Sequence, residues 1–255
     1  MKLRTLIFII IIAIVVLSVT GVISIQAILD SIADKTDTGT DETLKRTVSA
    51  AEFSNLNIEW AAGTIKIITA DTDDIIIEET KKSGNTHAMV TEYDGDTMTI
   101  RYASGVSANM ANLSAKHLTV TVPEKWICEE LTINGAALEI SVSDLIAQSV
   151  ELNGAATKLN FSGSFDELEC GGAATELKLN STVAPSHVSV DGAACKLDLT
   201  IPAETGFAVK TEGVAVDFKS NSTCSFTDNT YTYGDGGCEI EIAGLGCSVT
   251  VNHDN

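Results

Sequence analysis

Aromatic side chains, proline and positive charge are all scarce in this chain of 255 residues. Phe, Trp and Tyr make up 5% of it, and both tryptophans, Trp60 and Trp126, lie before the first of the Gly-Ala-Ala units described below. Glycan-cleaving β-helices need paired carboxylates beside rings that stack on sugars, so this composition argues against such an enzyme. Against 35 Asp and Glu there are 16 Lys and Arg, and the formal net charge of −19 repels nucleic acid phosphates. We therefore expect no nucleic acid partner.

Catalytic and metal-binding motifs are also missing. The sequence has no nucleophile elbow, zinc-protease helix, phosphate loop, dinucleotide fingerprint or EF-hand loop. Asp71, Asp73 and Asp74 form an acidic cluster that suits a hydrated turn better than a calcium site. The four histidines are far apart in the sequence, at His87, His117, His187 and His253. We predict no catalytic, cofactor-binding or metal-binding residues, no cofactor and no enzymatic activity.

The N-terminus carries one long apolar run. Residues 6–29 contain no charged side chain, and as a helix they would be about 36 Å long, enough to cross a hydrocarbon core of ~30 Å. Lys2 and Arg4 precede the run, which predicts a cytoplasmic N-terminus and an extracytoplasmic bulk. A cleaved signal peptide is the alternative. The sequence thus predicts a cytoplasmic end at 1–4, a transmembrane anchor at 5–29 and a polar linker at 30–50, in a single-pass cell-membrane protein.

From Phe53 onward, apolar and polar residues alternate with a period of two, and no segment after residue 35 shows helical periodicity. Residues 89–102 form a hairpin signal about Asp94 and Gly95, which suit a type I′ turn. We therefore divide the rest of the chain into a β-rich part at 51–125, repeats at 126–252 and a tail at 253–255.

The repeats are marked by a Gly-Ala-Ala that recurs between alternating apolar residues about every 20 residues, a spacing typical of solenoids. Its glycines are Gly135, Gly154, Gly172 and Gly192, with a degenerate fifth copy at Gly213. We interpret them as structural corners that need the positive φ open to glycine. The residues just before them include Asn134, Asn153 and Asp191, which suit local backbone hydrogen bonds better than a cation site. The predicted fold is all-β, a β-solenoid of ~20-residue units preceded by one transmembrane helix.

In-register stacking of these units has two further consequences. The outward residues Glu139, Lys158, Glu176 and Lys196 alternate in sign, so stacked copies would pair opposite charges. The last unit, at 238–252, returns to the apolar pattern and is expected to cap the end of the stack.

The six cysteines fall into two groups. Cys170 and Cys195 occupy inward positions of their units and are expected to pack as small apolar side chains. Cys224 and Cys238 flank a polar insertion at 225–237, which makes them a candidate disulfide.

The segments FSNLNIEWAAGTIKIITADTDDIIIEE (53–79) and HLTVTVPEK (117–125), together with the repeats, carry a family resemblance. The chain resembles, over roughly residues 50–252, the DUF4097 family of bacterial adhesin-like domains with β-strand repeats. The resemblance implies a β-solenoid, often membrane-anchored, and supplies no catalytic residue. We expect a non-enzymatic binding or adhesin-like module at the cell envelope, with an envelope protein or polymer as partner. The alternative is a structural or regulatory envelope component, for stress response or assembly, that acts through a membrane partner.

Overall fold

The computed structural model describes residues 41–82, 88–103 and 115–254. These residues form 16 β-strands and a single 3-10 turn at Ala50–Glu52. The expectation of an all-β protein is therefore confirmed.

All 16 strands belong to one sheet. In chain order they are β1 (Asp41–Ser49), β2 (Asn55–Ala70), β3 (Asp74–Lys82), β4 (Val90–Asp94), β5 (Thr97–Arg101), β6 (Lys116–Pro123), β7 (Ile127–Ser164), β8 (Glu167–Ser181), β9 (His187–Ala193), β10 (Lys196–Ile201), β11 (Phe207–Val214), β12 (Asp217–Ser220), β13 (Ser225–Thr227), β14 (Thr230–Tyr233), β15 (Cys238–Leu245) and β16 (Ser248–His253).

The centre of the sheet is parallel and in register. Strand β2 pairs with the first repeat unit in β7, β7 pairs with β8, and β8 pairs with β9 and β10. Register puts equivalent apolar side chains side by side, so their inward rows form one continuous core, which removes apolar surface from water. One such row consists of Leu56, Leu131, Val150, Leu168, Val188 and Ile240, all of them buried.

The predicted β-solenoid is wrong as a description of this sheet, because the sheet is mixed. At one end β4 pairs antiparallel with β5, β3 with β6, and β1 with β3. At the other end β14 pairs antiparallel with β11, and β13 with β14. The repeat pattern in the sequence predicts only the parallel strands at the centre of the sheet. The antiparallel strands lie in segments that lack the Gly-Ala-Ala.

The transmembrane prediction is also corrected. Within the described ranges, no helix is long and apolar enough to cross a membrane, and the predicted anchor at 5–29 lies outside those ranges. The length of an uncharged run shows that it is long enough to span a bilayer. It establishes neither that the run is helical nor that it lies in a membrane. The signal anchor and the single-pass cell-membrane localisation are therefore withdrawn, whereas the membrane as a partner stays a prediction of the sequence.

The last repeat unit is not an end cap. Strand β15 lies between β9 and β11, and β16 lies between β10 and β12, with parallel pairing on both sides. The outermost unit in the sheet is β11 and β12. In the sequence it comes before β15 and β16, the unit that lies between it and β9–β10. The hairpin of β13 and β14 covers β11 at this end of the sheet.

Candidate binding surface

The repeat glycines lie next to one another in a column that crosses the sheet. A Cβ built on Gly172 would lie 2.2 Å from the carbonyl oxygen of Gly154, and one on Gly192 would lie 1.8 Å from that of Gly172. Positive φ occurs at Gly213 (122°) but not at Gly135, Gly154, Gly172 or Gly192. Close approach of a neighbouring backbone therefore explains Gly135, Gly172 and Gly192, whereas a Cβ on Gly154 would lie 2.0 Å from the Thr157 hydroxyl oxygen. The conformational reason predicted from the sequence applies only to the fifth glycine, Gly213.

The column separates two outer surfaces, because the alternation of buried residues shifts phase as the chain passes it. In the first unit, Leu131 and Ile133 are buried before the column and Leu138, Ile140 and Val142 after it. Since successive strand residues point to opposite sides, each unit shows one row of outward side chains on each side of the column.

The outward side chains after the column form a mixed-charge face. Glu176 is in register with Lys158 on one side and Lys196 on the other, and Lys196 Nζ lies 2.9 Å from Glu176 Oε1. Their hydrogen bond lowers the pKa of Glu176 and raises that of Lys196. Both side chains are solvent-exposed, so the pair adds at most about 1 kcal/mol. The alternation in sign predicted for this row is thus confirmed where the structure gives register.

The outward side chains before the column form an acidic face. Glu151 and Glu169 are directly in register, and His187 lies between Glu167 and Glu239 in the adjacent row. Among the described residues, none of these four carboxylates forms an ion pair with Lys or Arg. At the edge of the face, the Nζ of Lys210 lies 3.7 Å from a carboxylate oxygen of Glu241 and 2.8 Å from one of Glu212. Like charges directly opposite each other destabilise a sheet, so this face is electrostatically unbalanced.

The polar residues beside the glycines are not arranged as ligands of a metal ion. Asn153 donates to the side-chain oxygen of Asn134 at 3.3 Å and to Glu151 at 2.7 Å, whereas Asp191 is exposed. In the part of the chain that the structure describes, no group of three or more His, Cys, Asp or Glu is placed to hold a metal ion, the Asp71–Asp74 turn included.

All six cysteines are free thiols, so the bond between Cys224 and Cys238 stays a prediction of the sequence. Cys170 and Cys195 are buried in the core as expected, and burial raises the pKa of the Cys170 thiol to about 12. Cys195 lies beside Cys247 in the neighbouring unit, a contact that the sequence analysis did not identify. Interaction between the two thiols lowers the pKa of Cys247 to about 6, whereas that interaction and burial together raise the pKa of Cys195.

A buried ion pair lies at the other end of the sheet. Lys116 Nζ donates to Glu79 and to the carbonyl of Tyr102, and both charged side chains have no exposed area. The ammonium also lies 4.8 Å from the Trp60 ring and 3.8 Å from the Tyr102 ring, an arrangement that favours a cation. Burial nevertheless lowers the pKa of Lys116. No pattern in the sequence indicates this pair, because its members are 37 residues apart.

Comparison with known proteins identifies a shared fold. No protein-family model and no curated protein matches the chain. A proposed cell adhesion protein from Clostridium sporogenes matches with a TM-score of 0.55 at 14% identity, over 84% of this chain and 100% of that one. A proposed adhesin from Bacteroides fragilis matches with a TM-score of 0.45 at 8% identity, over 84% of this chain and 97% of that one. The chain therefore has the fold of the Clostridium protein, and these identities extend the likeness to the fold alone.

Proposed function

We propose that this chain is a non-enzymatic, adhesin-like binding protein, related to the DUF4097 family, that contacts a basic partner through its acidic face. The observation that carries the proposal is the in-register pair Glu151 and Glu169. Placing two carboxylates opposite each other costs stability in the free protein, and a cationic partner would offset that cost on binding.

The two outer faces differ in a way that supports this choice. On the mixed-charge face, Glu176 is already neutralised by Lys196, so a charged partner would have to displace an existing contact. On the acidic face, no Lys or Arg among the described residues neutralises Glu151 or Glu169, although Asn153 donates a hydrogen bond to Glu151. The field of these carboxylates attracts cations at long range. The resemblance to bacterial adhesin-like domains and the shared fold are consistent with a binding role.

The test measures binding of a fluorescent oligolysine peptide, used as a basic probe, to the folded protein at low and high salt. We expect E151Q/E169Q to weaken binding several-fold and to reduce its salt dependence. The matched control is E139Q/E176Q, which changes the net charge equally but on the mixed-charge face. Equal weakening by both double variants would show that only net charge matters and would overturn the proposal.

A further inference from the structure

The thiols of Cys195 and Cys247 lie side by side on neighbouring units, although the two residues are far apart in sequence. Lys196 is in register with Ser248, and the backbone N–H of Ser248 donates to the carbonyl of Cys195 at 2.8 Å. The two cysteines immediately precede this registered pair and therefore face each other. Register extends to their glycines, since Gly192 pairs with Gly244.

Both side chains point toward the same inner column. Cys195 Sγ lies 2.9 Å from a Cβ built on Gly192, and Cys247 Sγ lies 3.2 Å from one built on Gly244. Cys247 Sγ also reaches to 3.7 Å from the carbonyl oxygen of Gly192, in the unit that contains Cys195. The two thiols thus occupy equivalent places in adjacent units, and both residues are buried.

This geometry suits a disulfide. Neighbouring strands lie about 4.8 Å apart, which falls within the range of roughly 4.4–6.8 Å for Cα atoms joined by a disulfide. Cys170 is less suited as a partner for Cys195. Where β8 pairs with β9, Cys170 lies opposite Val190, and the register of β8 with β10 puts Thr175 beside Cys195.

We propose that Cys195 and Cys247 form a redox-controlled disulfide that locks the last unit, β15 and β16, between β9–β10 and β11–β12. The oxidant is a small disulfide such as glutathione disulfide. One cysteine thiolate attacks a glutathione sulfur and releases glutathione thiolate, which leaves a mixed disulfide on the protein. The second cysteine thiolate attacks the protein sulfur of that mixed disulfide and releases the other glutathione. The protein loses two electrons and two protons, and glutathione disulfide is reduced to two glutathiones.

A disulfide between Cys195 and Cys247 is expected to stabilise the protein because of where the last unit lies in the sheet. The last unit is held in place on both sides by strand pairing, by core packing and by side-chain contacts such as that of Lys210 with Glu241. A bond between residues 195 and 247 would close a loop of about 50 residues, which reduces the entropy of the unfolded chain. Oxidation is therefore expected to raise the melting temperature of the protein.

The test oxidises the reduced full chain with glutathione disulfide in two arms, one with the folded protein and one during refolding from urea. The refolding arm exposes thiols that are buried in the folded state. Peptide mapping without reduction is expected to recover a crosslink between the peptides of Cys195 and Cys247, together with a rise in melting temperature of several degrees. C247S should lose both effects, whereas C170S, which removes another buried thiol, should keep them.

Three outcomes would overturn the proposal. These are no crosslink in either arm, a glutathione adduct that persists on Cys247, or a crosslink between Cys224 and Cys238 without one between Cys195 and Cys247. The last outcome would instead support the disulfide predicted from the sequence.

Discussion

Single residues at the turns after the glycine column carry backbone strain in only some units. Ala194 and Ala215 have φ of 56° and 59°, and the equivalent residue of the last unit is Gly246, with φ 70°. In the third unit the equivalent Ala174 lies within β8 and is not among the residues with positive φ. An L-residue in the left-handed region costs roughly 1–2 kcal/mol, a cost that glycine avoids.

We therefore predict that Ala194→Gly raises the free energy of unfolding by up to about 1 kcal/mol, because relief of this strain exceeds the entropy lost by glycine. Urea unfolding followed by circular dichroism measures the change. Ala174→Gly is the matched control and should destabilise the protein by about 1 kcal/mol, since its backbone is extended. A loss of stability in both variants would refute the strain argument.

The buried pair of Lys116 and Glu79 gives a second prediction at the scale of residues. Glu79→Gln should lower the free energy of unfolding by about 3–5 kcal/mol, because it leaves the ammonium buried without its carboxylate. The side-chain oxygen of Gln can still accept the N–H of Met89, which Glu79 binds at 3.0 Å. Because Gln has one side-chain oxygen, its NH2 group would then face Lys116, and the variant loses a hydrogen bond as well as a charge. Denaturant titration measures the combined loss.

The double variant K116M/E79Q is the control for this prediction. It removes both charges while it retains a side chain of similar length at each position, so it should recover part of the stability lost in E79Q alone. A double variant that is less stable than E79Q would show that Lys116 contributes through contacts other than the ion pair.

At the scale of strands, the glycine column sets how closely neighbouring units pack. Gly171 and Gly172 are adjacent in β8 but have different surroundings. A Cβ on Gly172 would clash with the backbone oxygen of Gly154, whereas one on Gly171 would meet only the side-chain oxygen of Asn153, at 3.1 Å. Backbone in the sheet cannot move aside without breaking pairing, but the half-buried side chain of Asn153 can rotate.

We expect Gly172→Ala to destabilise the protein by about 3 kcal/mol and Gly171→Ala to change stability by less than about 1 kcal/mol. Thermal and urea unfolding of the two variants, measured side by side, test this difference. Similar losses in both variants would mean that the column does not depend on close backbone approach.

The strands show what a sequence can and cannot predict here. Period-two alternation correctly gave the all-β class, the inward rows and the position of Lys196 beside Glu176, because these features repeat locally. The reason for the glycines was missed, since the contact between Gly172 and Gly154 depends on the spacing of strands and not on local conformation. The pair of Cys195 and Cys247 was missed for a related reason, because the sequence places the last unit at the end of the stack.

At the scale of the molecule, strand order differs from chain order at the C-terminal end. The outer unit of β11 and β12 pairs in parallel only with β15 and β16, which are made later in the chain. Sequence periodicity carries no information on this order, because every unit offers the same apolar rows to either neighbour. Because the outer unit depends on such non-local pairing, we expect it to form only once the last residues have docked.

Removal of the last unit should therefore loosen the outer one while the centre of the sheet remains folded. We predict that a chain ending at Gly237 loses hydrogen-exchange protection over 207–233, because β12 has no remaining strand partner and β11 keeps only β14. Protection over 127–181 should persist, since β7 pairs with β2 on one side and with β8 on the other. Hydrogen exchange with mass spectrometry measures both regions, and a chain ending at His253 is the control. Continued protection over 207–233 would contradict the prediction, because it would show that β11 and β12 can pair directly with β9 and β10 in the vacated position.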